Sequence, residues 1–403
     1  MKTKLSLLFI LFILLPCLSW AADFGLLVDQ TIGIGGYGND GEFDYMGSII
    51  PRFSTLVGTN GEFYASAGIS AERGNNEWSF VPELLRTEFT WFTHSWELKL
   101  GRTYYSDPLG YITEGLFDGF RFTYDTKLGS FGAGAWYTGF LYKKRANIEI
   151  TREELLNNTL GVDYSDFIDT YFASRRIVAA LDWSHPNLAG SLLRTNVSLI
   201  GQFDLNGYDV ETIHSQYLVA KLSLPYNAFL FDLGGSFSLM ERDGDVETAL
   251  AAELKATWVL PTPFSSRLSL LGIYTSGVSE NTNISAFLPV TTRSKGEILM
   301  AKLSGLSFIS LDYIARLHRT FSARLSSSYF ISTDKQTFYR YPIRDASKGY
   351  FLGNEFFGQL YWSPFTDLTA SLGGGIFLPS MGNAAPNAEN LWRLELNIIL
   401  SLF

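Results

Sequence analysis

From about residue 23 onward, apolar and polar side chains alternate almost one by one. Phe229, Phe231, Leu233, Gly235, Phe237 and Leu239 form one stripe, with Asp232, Gly234, Ser236 and Ser238 between them. Leu250, Ala252, Leu254, Ala256, Trp258 and Leu260 form a second, interleaved with Glu253, Lys255 and Thr257. Ile309, Leu311, Tyr313, Ala315 and Leu317 form a third, and Trp392, Leu394, Leu396, Ile398, Leu400 and Leu402 a fourth. Successive side chains of an extended strand point to opposite faces, so each stripe is one face of a β-strand. Eighteen such runs follow one another between 24–34 and 391–403, among them 79–93, 131–144, 228–242 and 297–317. Helical periodicity is nearly absent.

The connections between the runs fall into two alternating sets. One is short, as at 57–61, 94–95, 127–130, 225–227 and 364–367; the other is mostly longer and more polar, as at 107–116, 145–170, 278–296, 334–349 and 379–390. An even strand number with short turns at one end and long loops at the other predicts an all-β transmembrane antiparallel up-and-down β-barrel of about 18 strands. A soluble sandwich would turn its stripes inward, whereas a closed sheet of this size has too wide a bore to fill with side chains. The stripes therefore face lipid and the polar set faces water. Trp91, Trp96, Trp136, Trp183, Trp258, Tyr361, Trp362 and Trp392 fall mostly near strand ends, where amphipathic rings favour the headgroup level.

The first residues set the compartment. Lys2 and Lys4 precede an apolar run from Leu5 to Trp20, and Ser19 and Ala21 supply the small positions of a cleavage site, so residues 1–21 read as a removed secretory signal and 22–403 as a single barrel domain. Lipidation at Cys17 is the lesser alternative, because Pro16 fits poorly before it. The expected localisation is the outer membrane of a diderm bacterium. No later run reaches the roughly 18 apolar residues of a membrane helix. Loss of Lys2 and Lys4 takes the net charge from -9 to -11, and the only cysteine is Cys17; the mature chain has neither disulfides nor thiolate metal ligands. An acidic chain of pI near 5.1 lacks the basic footprint of a nucleic-acid binder.

If the apolar parity meets lipid, the other parity lines the bore. Its expected charged members include Arg52, Arg86, Glu88, Glu97, Lys99, Arg121, Asp125, Arg194, Asp232, Glu253, Lys255, Asp312, Arg316 and Arg324, with Arg176, Asp204, Lys302 and Glu355 on the same parity. The wall counts thirteen positive against ten negative groups, which predicts a slight anion preference, although neighbours such as Arg86 and Glu88 can neutralise one another. Arg102 falls on the lipid parity and is expected at the outer rim, where such a charge costs only about 0–1 kcal/mol. In the longest loop, Thr151 followed by Glu154 predicts a capping box opening a helix over Arg152–Asn158. Thr151, Glu153, Glu154, Asp163 and Asp166 are candidates for a loop folded inward to narrow the pore; a loop standing above the membrane is the alternative.

The stretch Gly101-Arg102-Thr103 through Ser106-Asp107-Pro108-Leu109-Gly110 to Gly115-Leu116-Phe117-Asp118-Gly119-Phe120 resembles the outer-membrane porin and alginate-export-like β-barrels. The resemblance implies an eighteen-stranded passive channel and leaves the solute open. The end of the chain on Phe403 is similar to the aromatic-terminated closing strand that the barrel-assembly machinery reads, although Phe403 falls on the opposite parity from Leu402, Leu400 and Ile398.

Other motifs carry little. Gly33-Ile34-Gly35-Gly36-Tyr37-Gly38 spells a dinucleotide pattern, but no helix follows it. Asp243-Gly244-Asp245 with Glu247 reads as a tight turn rather than a calcium site. Of four histidines, His94, His185 and His318 fall at short turns, leaving His214 alone at the other end; no nucleophile and base are gathered. The expected function is therefore a porin-like channel for passive diffusion of small hydrophilic solutes, anions among them, with no enzyme activity, metal or cofactor. The alternative is a non-conducting barrel that displays ligand-binding or adhesive loops. Expected partners are outer-membrane lipid, the assembly machinery, small solutes and a homo-oligomer.

Overall fold

The computed structural model describes residues 22–74, 77–206, 211–279, 282–334 and 349–402. The strands are β1 (Ala22–Tyr37), β2 (Glu42–Val57), β3 (Gly61–Gly74), β4 (Glu77–Phe92), β5 (Trp96–Ser106), β6 (Glu114–Thr126), β7 (Gly129–Tyr137), β8 (Arg176–His185), β9 (Arg194–Asp204) and β10 (Ile213–Tyr226). They continue as β11 (Phe229–Arg242), β12 (Asp245–Val259), β13 (Arg267–Thr275), β14 (Ser294–Lys295), β15 (Ala301–Lys302), β16 (Leu306–Ala315), β17 (Phe321–Ser332), β18 (Phe351–Phe365), β19 (Leu368–Leu378) and β20 (Leu391–Leu402). All but β14 and β15 form one antiparallel sheet of 18 strands. β20 pairs β1 from Leu26↔Leu402 to Tyr37↔Leu391, which closes the cylinder. Strands of this length suit a bilayer, which tilted strands cross in about 9–11 residues.

The register fixes which face is which. Phe231, Leu254 and Leu311 lie on the outer surface at 40%, 60% and 45% exposure, while Asp232, Glu253 and Ser310 between them point inward and are buried. Apolar groups outside and polar groups inside are what hydrocarbon on one face and water on the other demand. Stacked outward pairs, Phe229 with Trp258 and Phe321 with Trp362, mark the short-turn end. Asp243 and Gly244 both take positive φ, as a two-residue hairpin between β11 and β12 requires.

Three expectations need correction. The run 297–317 is not one strand: β14 and β15 form a small hairpin in a loop, and the wall resumes only at Leu306. Lys302 is therefore a loop residue. The run 131–144 stops at Tyr137, and a short helix, α1 (Lys143–Ala146), follows. Two of the presumed interface aromatics face inward: Trp136 is buried, donating from Nε1 to Thr103 Oγ1 at 3.1 Å, and Tyr361 hydrogen-bonds Gln359 on the inner face.

A core of buried apolar side chains lies inside the barrel toward its long-loop end, hereafter the outer end. It joins wall residues such as Trp136, Tyr217, Phe308 and Phe330 to loop residues such as Tyr111, Ile112, Phe287, Leu288, Val290 and Leu299. Burying each large apolar side chain contributes about 1.5–3 kcal/mol, which draws the loops inward against the entropy of ordering them.

Candidate functional site

Three loops build a partition across the lumen. They span 107–113, 138–175 and 276–305. The first is wound around Asp107, whose carboxylate accepts from the backbone N–H groups of Leu109, Gly110, Ile112 and Thr113 at 2.8–3.1 Å. Burial pushes this carboxyl up, and the four amides pull it down without cancelling the rise. The Ile112 carbonyl then accepts from Val290 and Thr291, and the Asn147 carbonyl from Thr292, so the three loops are stitched together. The 276–305 loop is also pinned to the wall. Glu355 on β18 accepts from the N–H groups of Glu297, Ile298 and Leu299 at 2.7, 3.0 and 2.9 Å, and Tyr217 on β10 donates to Leu288 O at 2.6 Å.

The capping box forms as the sequence predicts. Helix α2 (Arg152–Thr159) starts with Thr151 accepting from Glu154 N, while Glu154 reaches back to the Thr151 N–H. Glu154 has a second task. Its other oxygen accepts from Arg176 on β8 at 2.6–2.9 Å, and Arg176, fully buried, also pairs Asp204 at 2.9 Å. Thr151 and Glu154 thus fasten the loop to the wall, whereas Glu153, Asp163 and Asp166 are exposed at the outer end. Hydrogen bonds from Ser165 hold the Asp163 carboxyl below the usual range.

The candidate pore residues distribute unevenly. Arg52, Arg86, Glu88, Glu97, Lys99, Arg121, Asp125, Arg194, Asp232, Glu253, Lys255, Asp312 and Arg324 all take the inward parity. Arg316 does not. β16 ends at Ala315, and Arg316 lies in the following turn with its guanidinium on Arg319 O at 3.1 Å. Most inward charges are paired: Arg86 with Glu88 at 2.8 Å, Lys99 with Glu97 at 3.3 Å, Arg121 with Asp182 at 3.1 Å, and Lys221 with Glu253 at 3.5 Å. Arg324 bridges Asp312 and Glu297, and Arg393 bridges Asp44 and Glu395. Arg176 and Asp204 are buried beneath the loop that carries Glu154.

Sequence reasoning missed one central residue. Lys295, in the inward loop, stacks its ammonium over the Tyr111 ring at 5.5 Å. Burial pulls it below the ordinary lysine range, although Glu253 and Glu114 lie near enough to oppose that fall. The signal that could have found it is the apolar loop segment Ala286-Phe287-Leu288-Pro289-Val290, which no surface loop needs and which drags its neighbours inside.

No protein-family model matches the chain, and no curated protein sequence does. Solved structures do. The fold is that of the eighteen-strand outer-membrane barrels. The outer membrane protein OpdK from Pseudomonas aeruginosa aligns at a TM-score of 0.60 and 11% identity, covering 95% of this chain and 99% of that one. OccK2 (OpdF) from the same organism, solved in complex with glucuronate, aligns at 0.60 and 12% over 95% and 98%. OpdK solved with vanillate aligns at 0.62 and 11% over 95% and 99%. At this identity the likeness speaks for the architecture.

Proposed function

We propose that the chain is an outer-membrane channel through which small hydrophilic solutes diffuse, with anions favoured. One observation carries the preference. Among the described residues, Lys295 at the partition and Lys255 beside it have no carboxylate within ion-pair distance, while the loop-holding carboxylates Asp107 and Glu355 are occupied by backbone amides. Positive groups are thereby left to meet a solute, and side chains of one sign at a narrow point bias which ions pass. The solutes bound to the similar barrels, glucuronate and vanillate, are of the kind such a point would admit.

The remaining inward charges serve this reading as paired wall groups that orient dipolar solutes. Residues 1–21 are taken as the export signal, and β20 as the closing strand presented to the assembly machinery; Phe403 lies outside the described residues. The alginate-export side of the resemblance draws support only from the stretch 101–120. The test is purified protein in planar bilayers under a salt gradient. A reversal potential of anion-selective sign, reduced by Lys295→Met with Lys255→Met, supports the proposal; cation selectivity, or no conductance at all, overturns it.

A further inference from the structure

The cylinder is closed hydrogen bond by hydrogen bond along most of its height, but β4 and β5 part company halfway up. Their pairing runs only from Phe92↔Glu97 to Thr87↔Arg102. Above that point β4 continues to Glu77 on β3, and β5 continues to Ser106 on β6. The free edge of β4, from Arg86 to Glu77, spans about 30 Å at roughly 3.3 Å per residue. Among the described residues, no backbone hydrogen bond joins it to β5 or to a loop.

The sequence is built for this parting. Gly101 sits at the fork with φ +104°, and a Cβ there would come within 2.2 Å of Thr87 O, so glycine is required. A bulge at Leu85 shifts the register, since Arg86 pairs Ser66 while Leu84 pairs Ala67. It also flips the parity, so that Leu84, Pro82 and Phe80 face lipid although Arg86 and Glu88 face the lumen. Pro82 has no N–H to leave unpaired on the free edge. Two of the edge carbonyls are capped by side chains: Pro82 O accepts from Tyr171 Oη at 2.8 Å, and Leu84 O accepts from Arg102.

What fills the gap is the 138–175 loop, which meets the β4 edge through side chains. Tyr142 and Tyr171 stack at 5.0 Å and pack on Val81 of β4, with Phe167 and Phe172 behind them. Tyr142 Oη is buried in this cluster without a hydrogen-bond partner, a group that water or a ligand head would satisfy if the cluster opened. On the lumen side Arg145 of α1, still half exposed, pairs with Glu83 at 3.1 Å, and Lys144 pairs with Glu72 at 3.1 Å.

We propose that this seam is a lateral port from the lumen to the outer leaflet, that the 138–175 loop is its plug, and that it passes amphiphilic anions. An anionic head competes with Glu83 for Arg145, and an alkyl or aromatic body takes the place of the Tyr142 and Tyr171 rings. The port goes beyond axial diffusion and does not depend on it. The only cysteine of the sequence is Cys17, so a Val81→Cys, Tyr142→Cys pair can be bridged with a cleavable dithiol-specific reagent. Proteoliposomes are then tested for uptake of radiolabelled 1-decanesulfonate below its micellar concentration, and for chloride conductance. Bridging is expected to cut protein-dependent uptake at least tenfold while conductance stays within twofold, with recovery on reduction. Uptake unchanged by the bridge, uptake and conductance lost in step, or no protein-dependent uptake before bridging overturns the port. A barrel that lacks conductance yet takes up the sulfonate removes the axial reading alone. Should the cysteine pair not fold, Tyr171→Phe, which frees only Pro82 O, decides: uptake rises severalfold if the plug gates it and is unchanged if it does not.

Discussion

Arg102 and Asp118 stand directly opposite each other on β5 and β6 and meet in a two-pronged ion pair, 2.8 Å at each prong, on the lipid-facing parity of the wall. The guanidinium is almost fully buried, and it also donates to Phe140 O at 3.0 Å. A charge on this parity is acceptable at the fork between β4 and β5 because it arrives with its counter-charge and a set of carbonyls. Breaking a buried pair by removing one partner costs roughly 3–5 kcal/mol, since the other charge is left bare, whereas replacing both by apolar groups is often neutral. Arg102→Ala is therefore expected to lower the urea midpoint of the barrel in detergent strongly, and Arg102→Leu with Asp118→Leu to recover most of the loss. Equal destabilisation by the single and double replacements would show that the pair matters only through its packing.

The hold of Glu355 on the 276–305 loop makes a different kind of prediction. Glu355→Ala leaves the amides of Glu297, Ile298 and Leu299 without an acceptor, at about 1–3 kcal/mol for each that stays dry. That penalty falls on the docked loop, not on the wall, so the loop is expected to leave and the barrel to stand. Single-channel conductance should rise severalfold, with frequent transitions between levels, while the unfolding midpoint changes little. A conductance equal to the parent's would mean that the apolar contacts of Phe287 and Leu299 hold the loop by themselves.

How much of this was legible in the sequence depends on what each residue faces. Phe231, Leu254 and Leu311 meet lipid across a regular register, so period two alone places them. Arg86 and Leu84 are both even-numbered yet face opposite ways, because the bulge at Leu85 inserts one residue; alternation carries no signal for such a slip. The inward loops were hidden for the opposite reason. Residues such as Ile112, Phe287 and Val290 have no periodicity, and their burial is decided by the turn wound on Asp107 and by Glu355 and Tyr217, which lie far away in the chain. Glu154 was legible as half of a capping box, but its bond to Arg176 was not, because the box is local and the bond crosses 22 residues. The split wall leaves a trace only in Gly101 and Pro82, two residues that strands elsewhere tolerate for other reasons.

Lys295 links the partition to pH. Burial lowers its affinity for a proton, with Glu253 of β12 and Glu114 of β6 opposing and Arg293 and Lys255 adding to the fall. The neighbouring Tyr111 is pushed upward by its own burial, so it stays neutral over the same range. A lysine whose folded value lies below its ordinary one is charged at low pH and becomes neutral on the way up, earlier than an exposed lysine would. Anion preference is therefore expected to be largest at acidic and neutral pH and to decline through the alkaline range before ordinary lysines titrate. Reversal potentials measured from pH 6 upward in a potassium chloride gradient follow the change, and Lys295→Met should remove that step while leaving a later one from exposed lysines. An unchanged profile in the variant would assign the pH dependence elsewhere, with Lys255 the next group to replace.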